Sequence, residues 1–238
     1  MSVFAIADLH LPGGAGEDKS MSVFENRWKG AAAKLEKNWR AAVGENDRVI
    51  IPGDVSWAMK LEETAEDFAF IDSLPGEKYL GKGNHDFWWT TARSMNAFFR
   101  SHGFNSIHLL YNNSYSFDGI NVVGARGWFP DPSNQKTVGE VDWEKISRRE
   151  ESRLKLSLSS VPRDSGGQTV LFIHFPPVWN GFVCRGIIDL MHEAGIVRCY
   201  FGHIHGFYGP GADFEFEGIS FKMISADRLN FTPLLIEK

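Results

Sequence analysis

Residues that can bind metal ions or carry protons occur in five short motifs of the sequence. Carboxylate oxygens and imidazole nitrogens are common ligands of divalent transition metals, and imidazole also exchanges protons near neutral pH. Five of the eight histidines lie in these motifs, whereas structural histidines would be scattered along the chain. The sequence therefore indicates a metal site with a proton carrier beside it. The motifs are Asp8-Leu9-His10, Gly53-Asp54, Gly83-Asn84-His85-Asp86, His174 and Gly202-His203-Ile204-His205.

Each motif follows a short apolar run that predicts a β-strand, and the strands alternate with amphipathic segments that predict helices. This alternation is typical of an α/β protein. Residues 214–236 are interpreted as two or three antiparallel strands. The other expected strands are residues 3–7, 48–51, 78–80, 120–123, 169–173 and 197–201. The expected helices are residues 22–43, 62–73, 91–102, 141–158 and 186–194.

The order of strands and motifs predicts where the polar residues meet. Ligands of open α/β sheets bind at the carboxyl ends of the strands, so the five motifs are expected at one edge. Alternate residues of an extended chain point the same way, which lets Asp8 and His10, and likewise His203 and His205, aim at one spot. A single motif of this kind is weak evidence. All five in this order form a strong signal.

The composition is that of an ordinary globular protein, with 43% apolar and 23% charged residues among 238. No linker or repeat divides the chain, so a single domain over residues 1–238 is expected. The net charge of -5 provides no basic field for nucleic acid, and a phosphorylated substrate would need positive charge from bound metal. Cys184 and Cys199 form no CxxC pair, and the apolar stretch 3–7 is too short for a signal peptide or membrane span. We therefore expect a cytoplasmic protein, and the oligomeric state is left open.

The motif series resembles that of the calcineurin-like metallophosphoesterases: DxH, GD, GNH followed by an acid, a lone His, then GHxH. The resemblance spans residues 8–205 and is specific for the superfamily but not for a substrate. It implies a four-layer αββα sandwich, in which two mixed β-sheets pack face to face and helices flank them. It also implies a hydrolase of small phosphomonoesters or phosphodiesters. The implied roles are one metal ion on Asp8, His10 and His205, a second on Asn84, His174 and His203, a bridge at Asp54, and a catalytic non-ligand at His85.

The chemistry expected of such a site suits these residue types. Two cations can hold the phosphoryl oxygens and lower the pKa of a bound water. A carboxylate such as Asp54 has two oxygens and can bridge two ions, whereas an imidazole binds one ion at a time. Imidazole and carboxylate ligands without thiolate favour Mn first, then Fe or Zn. His85 is suited to proton transfer because the ordinary histidine pKa is about 6.5.

One departure from the superfamily limits the substrate. Its protein phosphatases extend the second motif to GDxVDRG, but this chain has Trp57 and Ala58 at the places of that second Asp and the Arg. Serine/threonine phosphatase activity of that type is therefore not expected. Two alternatives are a nuclease of the same superfamily, against which the acidic charge argues, and a non-catalytic scaffold, against which the filled ligand positions argue.

Several further residues are secondary candidates for contact with the substrate or support of the site. Arg126 and Arg185, in the irregular stretches 124–139 and 176–185, could contact phosphate, although surface arginines without that role are more common. Asp86 could orient a neighbouring group or act as a cap. Several aromatic residues near the motifs could stack on an aromatic leaving group, although such residues are more often core anchors. These are Trp57, Phe87, Trp88, Trp128 and Trp179, while His102, His108 and His192 are interpreted as structural.

Overall fold

The structure, a computed structural model, describes residues 1–14, 26–117, 119–128 and 142–238. Within these residues, two larger β-sheets, a two-stranded hairpin and five α-helices are present. The helices are α1 (Ala31–Ala42), α2 (Ala65–Ser73), α3 (Ala92–His102), α4 (Trp143–Ser159) and α5 (Arg185–Glu193). The strands are β1 (Val3–Ala5), β2 (Arg48–Pro52), β3 (Glu77–Gly81), β4 (Ile107–Leu109), β5 (Ser114–Phe117), β6 (Ile120–Ala125), β7 (Gln168–Ile173), β8 (Val178–Trp179), β9 (Phe182–Val183), β10 (Arg198–Phe201), β11 (Asp213–Phe216), β12 (Ile219–Met223) and β13 (Leu234–Glu237).

The first sheet has five strands in the order β13-β1-β2-β3-β4. Strands β1 to β4 are parallel, with Val3 opposite Arg48, and β13 runs antiparallel to β1. Val49, Ile50 and Ile51 on β2 are all fully buried. A strand covered on both faces needs such a continuous apolar run, which explains why this one is visible in the sequence.

The second sheet has six strands in the order β11-β12-β10-β7-β6-β5. Its four central strands, β12, β10, β7 and β6, are parallel, and the edge strands β11 and β5 are antiparallel to their neighbours. Both large sheets are therefore mixed, as expected.

The two sheets pack face to face between two layers of helices. Ala5 and Ile50 of the first sheet share an apolar core with Val122, Val170 and Phe172 of the second. A second core joins the outer face of the first sheet to α1, α2 and α3, and a third joins the outer face of the second sheet to α4 and α5. The four-layer αββα sandwich is thus confirmed.

The helices begin and end at residues with specific backbone roles. Helix α1 starts at Ala31 and not at residue 22 as expected, because its N-cap residue Gly30 has φ of 67°. A separate 3-10 turn, Asn26–Trp28, precedes it. Residues 22–25 and Val141, which the expected helices included, lie outside the described residues. The expected helix 62–73 divides into a 3-10 turn, Leu61–Thr64, and α2. Among the described residues, no helix is both long and apolar enough to cross a bilayer.

The last strands differ from the expected antiparallel group. β11 and β12 form an antiparallel pair, but β12 also lies parallel to β10, and β13 crosses to the first sheet. The stretch 176–185, expected to be irregular, contains the hairpin of β8 and β9. Strands β4 and β5 were not expected at all. Pairing between distant segments decides these elements, and local periodicity does not report it.

Candidate metal centre

The turns after β1, β2 and β10 hold predicted ligands in left-handed backbone conformations. The angle φ is 60° at Asp8, 46° at His10, 52° at Asp54 and 72° at His203. Non-glycine residues pay about 1–2 kcal/mol in this region, and such strain concentrates at functional sites. Backbone bonds hold the first two turns together, since the N–H of Asp8 donates to Gly53 O (3.1 Å) and that of His10 to Asp54 O (3.0 Å).

Two glycines allow the turns to approach this closely. Gly53 has φ of 105°, and a Cβ there would lie 2.5 Å from the nitrogen of Gly83. A Cβ at Gly202 would lie 2.6 Å from Oδ2 of Asp8. Only glycine fits at both places, so these residues bring the strand ends of both sheets together.

One group of donors consists of Asp8, His10 and His205. One ligand atom from each lies within 4.8 Å of the others. The Nε2 atoms of His10 and His205 are 3.0 Å apart, although the residues are 195 positions apart in sequence. Two ring nitrogens at this separation share either a proton or a cation, because their lone pairs otherwise repel each other. The geometry fits a metal ion.

A second group consists of Asp54, His174 and His203, whose ligand atoms also lie within 4.8 Å of one another. Asn84 belongs to the same place, because its Oδ1 lies 2.7 Å from Nε2 of His174 and 2.9 Å from Nδ1 of His203. The amide oxygen and the two ring nitrogens therefore face one point.

Asp54 lies between the two groups. Its Oδ2 is 3.4 Å from Nε2 of His174 and 3.7 Å from Nε2 of His10. Its Oδ1 accepts the backbone N–H of His85 at 2.8 Å, which fixes the carboxylate plane. One oxygen of Asp54 thus faces donors of both groups, the placement expected of a bridging ligand. The structure brings all seven predicted ligands together, and their metal-binding roles stay predictions.

Burial shifts the pKa of the groups in the centre. It raises the pKa of Asp8 to about 6, and burial together with the charges of Asp86 and Asp8 raises the pKa of Asp54 well above its ordinary value. Burial, with neighbouring histidines adding to it, lowers the pKa of His10 and of His174 well below 6.5. The lowered pKa favours the neutral form of the His10 and His174 imidazoles, which is the form that binds metal. The raised pKa of Asp8 and Asp54 indicates that these carboxylates need a cation beside them to stay ionised.

Whether a metal ion fits depends on whether a lysine or arginine already pairs with these carboxylates. Among the described residues, no lysine or arginine forms an ion pair with Asp8 or Asp54, whose ion-pair partners are the histidines. A divalent cation would keep both carboxylates ionised and would use the lone pairs of the neutral imidazoles. The donor set therefore fits metal ions, and it contains no thiolate, because Cys184 and Cys199 are free thiols in the apolar core between the second sheet and its helices.

Asp86 is a buried structural carboxylate that holds two of the turns. It accepts backbone N–H groups from Asp54 (2.9 Å), Val55 (2.9 Å) and Gly83 (2.7 Å), and the indole N–H of Trp88 (3.1 Å). Burial raises its pKa, although these donors oppose the shift. Of its two expected roles, the structure shows the capping one, here at a buried position.

Asp227 was missed by the sequence analysis and supports His205. Its Oδ1 lies 3.4 Å from Nδ1 of His205, and its Oδ2 accepts the N–H of Gly206 (2.9 Å) and the hydroxyl of Tyr208 (3.0 Å). Burial tends to raise the pKa of Asp227, but these hydrogen bonds outweigh burial and lower it. A carboxylate on the far nitrogen of a ligand histidine fixes its tautomer and its direction.

His85 is next to both groups but is a member of neither. Its ring centroid is 5.6 Å from that of His10 and 4.5 Å from that of Trp57, which itself stacks on His10 at 4.8 Å. Burial, and then the charge of His205, lowers the pKa of His85 to about 4. The half-buried ring lies beside the first donor group, and its role as a proton carrier stays a prediction.

Of the two candidate arginines, Arg126 is largely buried and Arg185 is exposed. Arg126 donates to the buried carboxylate of Glu150 at 3.1 Å, and its backbone follows β6 beside Phe175. Arg185 is exposed and forms two hydrogen bonds with Glu217, at 2.8 and 3.0 Å. The three histidines interpreted as structural have other partners: His102 contacts the Phe98 carbonyl, His108 contacts Glu77, and His192 contacts Glu217.

Solved structures with this architecture show how widely the fold occurs. The phosphopantetheinyl hydrolase of Mycobacterium tuberculosis is 16% identical, with a TM-score of 0.56 over 94% of this chain and 88% of that one. A protein of unknown function from Aquifex aeolicus is 16% identical, with a TM-score of 0.52 over 98% and 95% of the two chains. A protein from Thermus thermophilus is 13% identical, with a TM-score of 0.52 over 99% and 97%. At these identities the likeness shows the fold alone. No curated protein matches the chain.

The sandwich fold and the two donor groups at its strand ends suit a metal-dependent phosphoesterase. The family model for calcineurin-like phosphoesterases matches residues 1–207, which include every predicted ligand. The chain belongs to the calcineurin-like phosphoesterase family. The expected superfamily is thereby confirmed.

Proposed function

We propose that this protein hydrolyses small phosphomonoesters or phosphodiesters with the help of two divalent metal ions. The observation that carries the proposal is the position of Asp54, whose Oδ2 faces His10 of one donor group and His174 of the other. A structural site for one ion would need only one of these groups.

The proposed ligands follow from the two groups. Asp8, His10 and His205 would hold one ion, Asn84, His174 and His203 the other, and Asp54 both. When bound, the ions would neutralise charge on the phosphoryl oxygens and lower the pKa of the attacking water. Mn is the proposed metal before Fe and Zn, supported by oxygen and imidazole donors without thiolate.

The residues of the chain would do the rest of the work. Asp54 keeps the two groups at a fixed separation, because the backbone of His85 and the carboxylate of Asp86 hold its turn. His85, outside both groups, would pass a proton to the leaving oxygen when the negative charge of a bound phosphoryl group offsets the burial that lowers its pKa to about 4. Asp227 would hold His205 in one tautomer.

The proposal also covers the domain organisation, the cellular location and the kind of substrate. One catalytic domain over residues 1–238 is supported by ligands drawn from both sheets. A cytoplasmic location is supported by the two cysteines, which are buried as free thiols. A small substrate, not a nucleic acid, is supported by the net charge of -5.

A substrate panel tests the proposal. Metal-stripped protein is reloaded with Mn, Fe or Zn and assayed on chromogenic phosphomonoesters and diesters, a phosphopantetheinyl diester and single-stranded and duplex DNA. The phosphopantetheinyl ester is included because the M. tuberculosis neighbour is named for that activity. We expect metal-dependent turnover of the small esters and none of DNA. An Asp8→Asn preparation shows that the turnover belongs to this chain. Preferred cleavage of DNA would favour the nuclease, and two bound metals without turnover would favour the scaffold.

A further inference from the structure

Exposed apolar side chains concentrate near the metal motifs. Eight large apolar residues are exposed in the described part of the chain. Four of them lie within five positions of a predicted ligand or of His85. Burying such side chains away from water is favourable, so those beside the predicted site are candidates for contact with a ligand. The four are Met59, Phe87, Phe207 and Tyr208.

Two aromatic side chains flank His85. The centroid of Trp57 lies 4.5 Å from that of His85, and the centroid of Phe87 lies 6.2 Å away, with the rings edge to face. A tight turn fixes Phe87 there, because its N–H donates to the His85 carbonyl at 2.8 Å. Trp57 is held on its other side by stacking on His10.

The contrast between Phe87 and its neighbours indicates that Phe87 is not a core anchor. Trp88 is fully buried, its indole N–H donates to Asp86, and Trp89 is also buried in the core under α3. Phe87 is 55% exposed. The same turn therefore sends two rings into the core and one to the surface beside His85.

Trp57 adds a polar group to the same place. Its Nε1 is buried and has no hydrogen-bond partner among the residues that the structure describes. A buried donor without an acceptor is unfavourable, so an acceptor brought by a ligand would satisfy it. The rings of Trp57 and Phe87 that contact His85 are themselves uncharged. The surroundings suit an uncharged ring better than a second phosphate.

We infer that Trp57 and Phe87 form a subsite for the leaving group and that the substrate is a phosphoester of a planar aromatic group. The inference rests on the proposed function, because the leaving oxygen must lie beside His85. The carbon skeleton attached to that oxygen then lies between the two rings that flank His85. Aromatic pairs prefer edge-to-face and offset-stacked arrangements, which a saturated ring cannot reproduce.

Binding of phosphonates tests the subsite without depending on turnover. Phenylphosphonate and cyclohexylphosphonate carry the same anionic head and rings of similar size, but only the first is aromatic. We expect Mn-loaded protein to bind phenylphosphonate about three- to tenfold more tightly, the range that aromatic pairing provides. Titration calorimetry measures both affinities. Equal affinity, or no binding of either compound, would overturn the inference.

Three variants locate the preference. Phe87→Leu keeps an apolar side chain but removes the ring, and Trp57→Leu removes the second ring and the indole N–H. Each should lower the phenyl-to-cyclohexyl ratio by about twofold or more, with metal content checked because Trp57 stacks on His10. Phe207→Leu is the matched control, since Phe207 is also exposed but packs on Trp179.

The outcomes separate this subsite from the proposed function. A ratio that survives in both Phe87→Leu and Trp57→Leu, or that falls in Phe207→Leu, would overturn the assignment to Trp57 and Phe87. If the ratio behaves as expected but no phosphoester is turned over with any metal, the proposed function fails while the aromatic subsite stands.

Discussion

The two sheets supply chemically different halves of the metal centre. The first sheet provides every predicted oxygen ligand, with Asp8 after β1, Asp54 after β2 and Asn84 after β3, and only one predicted imidazole ligand, His10. The second sheet provides imidazoles alone, which are His174 after β7 and the pair His203 and His205 after β10. Negative charge and bridging capacity therefore come from one sheet, and neutral nitrogen donors come from the other.

The two halves are also held in different ways. Turns of the first sheet bond to each other through backbone groups, and Asp86 joins the turns at Asp54 and Gly83. The second half leans on the first, since the N–H of His203 donates to the Asp8 carboxylate at 2.9 and 3.1 Å. We therefore expect protein contacts to hold the first-sheet half in place without metal, whereas the second-sheet half depends on its contact with the first. Substitutions in the two halves should differ accordingly.

The largest effect is expected from Asp54→Asn. The substitution removes the one charge that faces both donor groups. Turnover should therefore fall by several orders of magnitude, and the affinity for both metal ions should fall as well. His205→Asn is the matched change in the second half and should keep about one tightly bound ion per chain, because the other group is intact. Elemental analysis and a phosphoesterase assay measure both quantities. Near-normal turnover in Asp54→Asn would remove Asp54 from the site.

His85→Ala probes a residue of the first-sheet half that is not a predicted ligand. We expect turnover to fall about 10²–10⁴-fold, the usual loss for a proton-transfer group, with metal content unchanged. Elemental analysis again accompanies the assay, with His102→Ala as a control because His102 contacts Phe98, Ser101 and Phe104 and none of the predicted ligands. Loss of metal from His85→Ala would make His85 a ligand.

Asp86→Asn tests whether the first-sheet half is built in advance. The amide would place an N–H₂ group against backbone donors of Asp54, Val55 or Gly83, so the free energy of unfolding should fall by about 3 kcal/mol. Urea unfolding of metal-free protein gives this value. Asp47→Asn is the control, because Asp47 also accepts backbone N–H groups, from Ser2 and Gly44, but near the surface. Equal losses in both variants would contradict a special role for Asp86.

Asp227→Asn should act on the second-sheet half alone. With the charge on the far side of His205 removed, metal affinity should fall about 10- to 100-fold. Competition with a metal-binding dye measures the affinity. Urea unfolding of the metal-free protein should change little, because the single amide oxygen can still accept from both Gly206 and Tyr208. Asp213→Asn, which alters a carboxylate paired with Arg228 away from His205, is the control. An unchanged metal affinity in Asp227→Asn would show that Asp227 does not position His205 for metal binding.

Much of the fold could be predicted because its buried parallel strands are continuous apolar runs, as at Val49, Ile50 and Ile51. Other elements lack such a signal. The edge strand β5 is only half-buried, and β13 joins the first sheet through a pairing with β1 that spans almost the whole chain. Helix α1 begins later than its periodicity indicates because Gly30 adopts a left-handed conformation. Long-range pairing and single backbone angles are not encoded in local patterns.

The sequence could predict that these seven residues lie together because each follows a strand whose carboxyl end reaches the same edge. The same rule would have found two residues that were missed or underrated. Asp227 lies four residues after β12, which is parallel to β10, and Arg126 directly follows β6, which is parallel to β7. Asp227 escaped notice because residues 214–236 were interpreted as antiparallel strands. The hydrogen bonds of Asp86 depend on how three turns meet, which no single motif contains.

The smallest effect is expected from Arg185→Ala, which tests how far the second-sheet half extends. Arg185 is exposed and its guanidinium is engaged by Glu217, so its removal should leave turnover unchanged and barely move the midpoint of urea unfolding. Arg126→Ala is the informative partner, because it withdraws a donor from the buried Glu150 carboxylate and should lower the midpoint further. If Arg185→Ala reduced turnover of a phosphoester, this surface arginine would act on substrate, and the second sheet would contribute more than its three imidazoles.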